Sequence, residues 1–246
     1  MPTLPVTSGQ LAVALALTVV GAAIQGSVGI GFAVVVAPIL LLYAPAFVPA
    51  PIVLAAIVLV ILMAIRERRD VIVRDLGAAT LGRVLGTIPA AYVISALPKT
   101  VYELLFGTLV LLGVAVSAIG WHIPATRRNV GLASILSGFM STVSSVGGPP
   151  MALVYQHEEG PRIRATISAI FTIGGCITLA GLRWAGRFGP AELLLGLLLT
   201  PGVVVGFLIS RYTTRQIDAK HVRPMLLVAS ALCAIVVIVR SLAAEL

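Results

Sequence analysis

Gly21 to Pro38 reads GAAIQGSVGIGFAVVVAP, and Gly138 to Tyr155 reads GFMSTVSSVGGPPMALVY. Each is a long apolar segment interrupted near its middle by glycines and small hydroxyl residues. In water such a stretch would be an ordinary turn. In a bilayer, backbone that leaves the helix must be buried in protein or line a cavity, because hydrocarbon offers it no hydrogen-bond partner. Paired interruptions in the two halves of a chain therefore point to a transport site.

The rest of the chain supplies the bilayer. Of its 246 residues 59% are hydrophobic and 11% charged, with mean hydropathy +1.09. Soluble domains carry about 25% charged residues, so the expectation is an all-α polytopic membrane protein. The opening MPTLPVTSGQ lacks the basic region and small-residue cleavage site of a secretory signal, so the first apolar segment is expected to be retained. The net charge of +8 is read as loop charge and not as a nucleic-acid surface, since the basic residues fall between apolar runs. Cys176 and Cys233 lie inside apolar runs and read as small packing residues. No Cys/His cluster has ligand spacing, so neither metal nor cofactor is expected. HExxH, GxSxG and Walker A patterns are missing, which argues against an enzyme and against an ATP-driven pump.

A membrane-spanning helix takes about 20 apolar residues. Gln10 to Leu42 is too long for one pass: as a straight helix its ~33 residues would measure roughly 50 Å. Folded back at Gly26–Gly31, each arm would reach about 24 Å or less, short of a ~30 Å core. A re-entrant hairpin fits both limits. Ordinary spans follow at Pro49–Ile65, Leu76–Ala96 and Val101–Gly120. After the polar joint at Trp121–Arg128, the order repeats with a broken segment, Val130–Tyr155. Three further spans follow, Ile163–Ala185, Ala191–Ser210 and Val222–Leu242. Gly31 pairs with Gly148, 117 residues on, and Gly82 and Gly86 pair with Gly202 and Gly206, 120 on. The reading is one membrane domain of two repeats, residues 1–120 and 129–246, joined by a connector over 121–128.

Loop charge orients them. If each broken segment returns to the side it left, twelve of the 17 basic residues share one face, among them Arg66, Arg68, Arg69, Arg74, Arg127, Arg128, Arg162 and Arg164. The positive-inside rule makes that face cytoplasmic and puts both termini in the periplasm. A hairpin plus three crossings is an odd number, so the repeats are expected to be inverted. Their hairpin tips would then dip toward the midplane from opposite sides.

The tips carry donors without matching acids. A half-helix beginning at a break exposes N–H groups without intrahelical partners and a partial positive charge. Gly29, Gly31, Gly147 and Gly148 let an anion approach that backbone, and Pro149–Pro150 suit a first helical turn. Ser27, Ser141, Thr142, Ser144 and Ser145 add hydroxyls, and Gln25 an amide. The alternative is that these small residues only permit close helix packing, which is all that Gly82/Gly86 and Gly202/Gly206 suggest. Arg83, inside an apolar span, either neutralises a bound anion or snorkels to the surface. The substrate-binding set is therefore Gln25, Ser27, Gly29, Gly31, Arg83, Ser144, Ser145, Gly147 and Gly148. His157 and Glu158 are secondary candidates for a proton relay, and Arg164 for an inner vestibule.

The motifs GSVGIGF (Gly26–Phe32) with Pro38, SSVGGPP (Ser144–Pro150), and Arg164-Ala165-Thr166 opening the next span extend across the chain. In these it resembles the TauE/SafE sulfite exporter family, also called the toluene sulfonate uptake permease family. The resemblance implies an inner-membrane secondary carrier for sulfite or an organosulfonate such as sulfoacetate or isethionate. The rival readings are a passive anion channel and a non-transporting membrane assembly subunit. Expected partners are a small anionic substrate and the lipid bilayer, with a homodimer left open.

Overall fold

The computed structural model describes residues 6–119, 123–155, 160–213 and 219–243. The first half contributes α1 (Ser8–Val28), α2 (Phe32–Tyr43), α3 (Ala50–Arg66), α4 (Val73–Ala96) and α5 (Lys99–Ile119). The second contributes α6 (Arg127–Ser144), α7 (Gly148–Tyr155), α8 (Gly160–Trp184), α9 (Pro190–Thr213) and α10 (Ala219–Ala243). No strand occurs among the described residues, and α1, α4, α5, α8 and α9 are long and apolar enough to cross a membrane. The chain is an all-helical, polytopic membrane protein. His157 and Glu158 lie outside the described residues.

α1 and α2 form a hairpin. Thr7 and Gln10 make a reciprocal capping box at the start of α1, and Gln10 Nε2 also donates to Tyr43 O at the end of α2, 3.1 Å away. The two ends of the broken segment therefore lie side by side. The bend occupies Gly29–Gly31, with φ of 100° and 135° at its two glycines, a region that residues with a Cβ enter at a cost. The arms are not the two equal short ones expected. α1 has 21 residues, about 31 Å at 1.5 Å per residue, and only the 12-residue α2 is short. Pro38 inside α2 cannot donate to Val34 O, and Ser230 of α10 supplies the missing bond at 2.8 Å.

α6 and α7 repeat the arrangement with 18 and 8 residues. Ser134 Oγ donates to Met151 Sδ at 3.4 Å, and Ser137 Oγ to Gly147 O at 2.6 Å, which fixes the arms antiparallel. α6 starts at Arg127, so its first turn absorbs the end of the expected connector. The bend is Ser145–Gly147, entered through Ser145 at φ 63°. Bend for bend the offset is 116 residues, so Gly31 corresponds to Gly147 and not, as expected, to Gly148.

The halves interlock reciprocally. α4 packs on α6 and α9 on α1, each through a pair of glycines. A Cβ on Gly82 or Gly86 would strike Gly131 O and Ser134, or Ile135 O and Phe139 N. One on Gly202 or Gly206 would strike Leu15 O and Thr18, or Val19 O and Ala23 N, which are the residues 116 positions earlier on α1. α3 and α8 pack against each other at the centre with opposite polarity: Glu67, just past the end of α3, pairs with Arg164 near the start of α8. Along α3 the hairpins pass each other instead of stopping at one level. Gly26 O is held by Arg66 at one end of α3, and Ser145 Oγ holds Pro49 O at the other.

Candidate functional site

The bends meet. A methyl on Gly148 would lie 2.6 Å from Ile30 Cγ2. Between them is a cavity of about 60 Å³, room for several waters at ~10–15 Å³ each, or for one small oxyanion. The first hairpin lines it with Gln25 and Ile30–Val34, and the second with Ser141 and Ser145–Gly148. Val53, Ala56, Ile57 and Val60 of α3 form an apolar wall. Phe171, Gly175 and Thr178 come from α8, and Arg83 from α4. Among the described residues no acidic side chain lines the cavity, and Arg83 is the one formal charge there.

Arg83 does not snorkel. It is 3% exposed, and Nη1 donates to Ser137 Oγ and Ser141 Oγ, each at 2.9 Å. Cζ stands 4.9 Å from the centre of the Phe171 ring, a cation–π contact. Nε is buried without a partner, and among the described residues no carboxylate lies within ion-pair distance of the guanidinium. Three glycines make the slot it occupies. Gly138 faces its backbone, Gly147 its Nη1, and Gly174 comes so close that a Cβ would overlap Nε. The guanidinium is thus passed between α6 and α8 to the cavity, where a path to the surface was the alternative.

The two bends offer different donors. Of the three leading N–H groups of α2, Phe32 N donates to Gln25 Oε1 at 3.0 Å, which leaves Ala33 and Val34 at the cavity wall. In α7, Pro149 and Pro150 follow Gly148 directly and have no N–H to give. The second hairpin therefore presents hydroxyl oxygens where a matching set of amides was expected: Ser141 Oγ, which accepts from Arg83 and lies 3.3 Å from Thr178 Oγ1, and Ser145 Oγ, whose own proton goes to Pro49 O.

Of the nine residues named from sequence, Gln25, Gly31, Arg83, Ser145, Gly147 and Gly148 converge on the cavity. Ser27, Gly29 and Ser144 do not. Ser27 Oγ donates to Ala23 O, Ser144 Oγ to Met140 O, and Gly29 packs on the Arg164 side chain. These three face their own helix or the next one because small residues at a break also serve as caps and spacers. Thr142 is likewise turned away, donating to Gly138 O. Arg164 stops short of the cavity, with its Nε 2.7 Å from Glu67 Oε1. Sequence reasoning missed Ser137, Phe171, Gly174 and Thr178. The last three lie on α8, in an apolar run whose only signal was the Gly174–Gly175 pair.

No curated protein and no solved structure matches the chain. The family model described as Sulfite exporter TauE/SafE matches residues 13–237, a range that takes in both bends, the Arg83 slot and every helix between them. The chain therefore belongs to the TauE/SafE sulfite exporter family.

Proposed function

We propose that this protein is a secondary transporter of a small sulfur-containing anion, sulfite or a short organosulfonate, held between the two hairpin bends. Members of its family are transporters and not enzymes, and membership implies movement of sulfite or a related sulfur anion. The observation that carries the site is Arg83. An arginine at the centre of a membrane helix costs about 2.5–3.5 kcal/mol on insertion scales, and buried charges are ordinarily paired. Here the guanidinium meets two serine hydroxyls, an aromatic face and a cavity with no acid among the described residues that line it. An anion in the cavity supplies the missing countercharge. Gln25, Ser141, Ser145 and Thr178 surround it with polar groups, and Val53, Ile57 and Val60 provide a wall for a short carbon chain.

In this reading the reciprocal packing of the halves is an inverted repeat, the arginine-rich face is cytoplasmic, and both termini are periplasmic. The membrane is the cell's inner one. Access alternates as one repeat shifts against the other.

The test is flux of sulfite, sulfoacetate and isethionate into proteoliposomes. Saturable uptake is expected. Arg83→Gln should weaken it about 10- to 100-fold, the loss of one charge-assisted hydrogen-bonding group at 1.5–3 kcal/mol. Ohmic, unsaturable current would make the protein a channel, and no flux of any small anion would remove the transport reading.

A further inference from the structure

We propose that Arg66 and Arg164 form a second anion subsite, on the path between the cavity and the arginine-rich face, which the chain's own Glu67 carboxylate fills when no cargo is there. The proposal rests on the transport reading above. α3 lines the cavity as far as Val60, and α8 as far as Phe171. Six residues further along α3 comes Arg66, and seven back along α8 comes Arg164, so they lie roughly 9 and 10.5 Å beyond the lining. Because the two helices are antiparallel, these ends converge. Arg164 Nε donates to Glu67 Oε1 at 2.7 Å, and Arg66 Nη2 lies 3.2 Å from the same oxygen. Side-chain exposures of 22%, 16% and 11% for Arg66, Arg164 and Glu67 set the trio inside the protein.

Two features distinguish this trio from a settled ion pair. Two guanidinium groups share one carboxylate oxygen, and the other, Oε2, is buried with no partner. Bidentate pairing is the stronger arrangement for arginine and an oxyanion, and Glu67 does not achieve it. A sulfur oxyanion, with three oxygens on one atom, can give each guanidinium its own acceptor.

The same arginines also hold the first hairpin. Arg66 Nη2 donates to Gly26 O at 2.7 Å, one of the carbonyls left over where α1 ends. Its Nη1 donates to Ser210 Oγ at 3.3 Å, and its Cζ lies 5.1 Å over the Phe207 ring. Arg164 Cγ packs on Gly29 at the bend itself. Cargo that displaces Glu67 reorients both guanidinium groups, and with them the contacts that keep the bend in place. The opposite face is built differently. There Tyr102 Oη donates to Val143 O near the end of α6, and Arg187 stands 5.8 Å over the Tyr102 ring. Among the described residues no carboxylate pairs with Arg187. Glu103, next to Tyr102 in the chain, pairs with Lys99 at 3.8 Å and accepts from Ser241 at 2.7 Å, so both its oxygens are engaged, unlike those of Glu67.

The test uses full-length protein carrying Cys176→Ser, Cys233→Ser and a single reporter, Val60→Cys, on the cavity wall. A membrane-impermeant thiol reagent is applied from either side of oriented vesicles, with and without sulfite. Sulfite is expected to raise labelling from the arginine-rich side. Glu67→Gln should raise it at least ~10-fold without sulfite and abolish the further response, with the other side unchanged. The charge swap Glu67→Arg with Arg164→Glu should return the rate toward that of the parent. Unchanged labelling in a Glu67→Gln protein of parental melting temperature would overturn the proposal, as would an equal rise from both sides. If the single variant does not fold, the swap decides: a folded swap that labels like a protein stripped of the ion pair overturns it. Sulfite flux in the same preparations separates the two ideas. Flux without any sulfite-dependent labelling removes the subsite alone, whereas no flux with any anion removes the transport reading.

Discussion

At the scale of the residue, the molecule holds one guanidinium where hydrocarbon opposes it. If Arg83 were a strut, its bonds to Ser137 and Ser141 would stabilise the fold; if it is there for an anion, the ligand-free protein carries it at a cost. Arg83→Met is therefore expected to leave the ligand-free melting temperature unchanged or a few degrees higher and to abolish the rise that sulfite produces by mass action. A clear fall in ligand-free melting temperature would assign Arg83 a structural role. Gly174 can be tested beside it. A methyl there overlaps the guanidinium, so Gly174→Ala must push Arg83 off its serines or move α8, at about 1–3 kcal/mol for overpacking. The expected signature is a raised KM with kcat less affected. Gly77→Ala, which points into open space on the same helix as Arg83, should instead be neutral or gain about 0.5–1 kcal/mol. Arg83 could be read from the sequence because a charge inside an apolar run stands out without any structure. Phe171, Thr178 and Gly174 could not, since each is unexceptional on its own helix and acquires its role only from what faces it across α4 and α6.

At the scale of the element, the two hairpins decide the architecture, and their existence was legible because a bilayer leaves so few uses for broken backbone. Their proportions were not. Arm length depends on where the bend falls, and a run such as GSVGIG permits several bends; the contacts of Phe32 with Gln25 and of Gly21 with Val36 choose Gly29–Gly31. The same ambiguity moves the partner of Gly31 by one residue, from the expected Gly148 to Gly147. Ser27, Gly29 and Ser144 were assigned to the site for a related reason: composition marks a bend but not which side of it faces the cavity. The glycine pairs on α4 and α9 were read as packing residues, and they are the contacts through which each half grips the other's hairpin. Gly86→Ala and Gly206→Ala should each destabilise the purified protein by about 1–3 kcal/mol. Because one acts at α4–α6 and the other at α9–α1, the double variant should be additive within about 0.5 kcal/mol. Thermal or denaturant unfolding of the four proteins measures both statements. A Gly206→Ala protein as stable as its parent would mean that the reciprocal packing is not what holds the halves together.

At the scale of the whole molecule, the reading reduces to which groups share a side of the membrane. Gln10 is bonded to Tyr43, so the first hairpin must begin and end on one face, whatever the depth of its bend. Arg66, Glu67 and Arg164 meet at the other end of α3, so that face receives the end of α1 and the start of α8 together. Counting on from there, α4 returns to the first face, where Arg187 reaches Ile94 O, and α5 descends again to the connector and the start of α6. Every one of these steps reverses if α1 and α2 form a single continuous pass, because all later segments then change sides. Single cysteines at Ser8, Tyr43 and Arg187, in a background without Cys176 and Cys233, are therefore expected to react with an impermeant reagent from one side of the membrane. Cysteines at Arg68, Arg128 and Arg162 should react from the other, which is the cytoplasmic side in the orientation proposed above. Ser8 and Tyr43 on opposite sides would separate two residues that the hairpin places together, and the inverted pairing of the halves would go with them. Six concordant positions would leave only a protein whose bends enter from opposite faces, and for such a protein the point where those bends touch, at Ile30 and Gly148 beside Arg83, is the place reachable in turn from both.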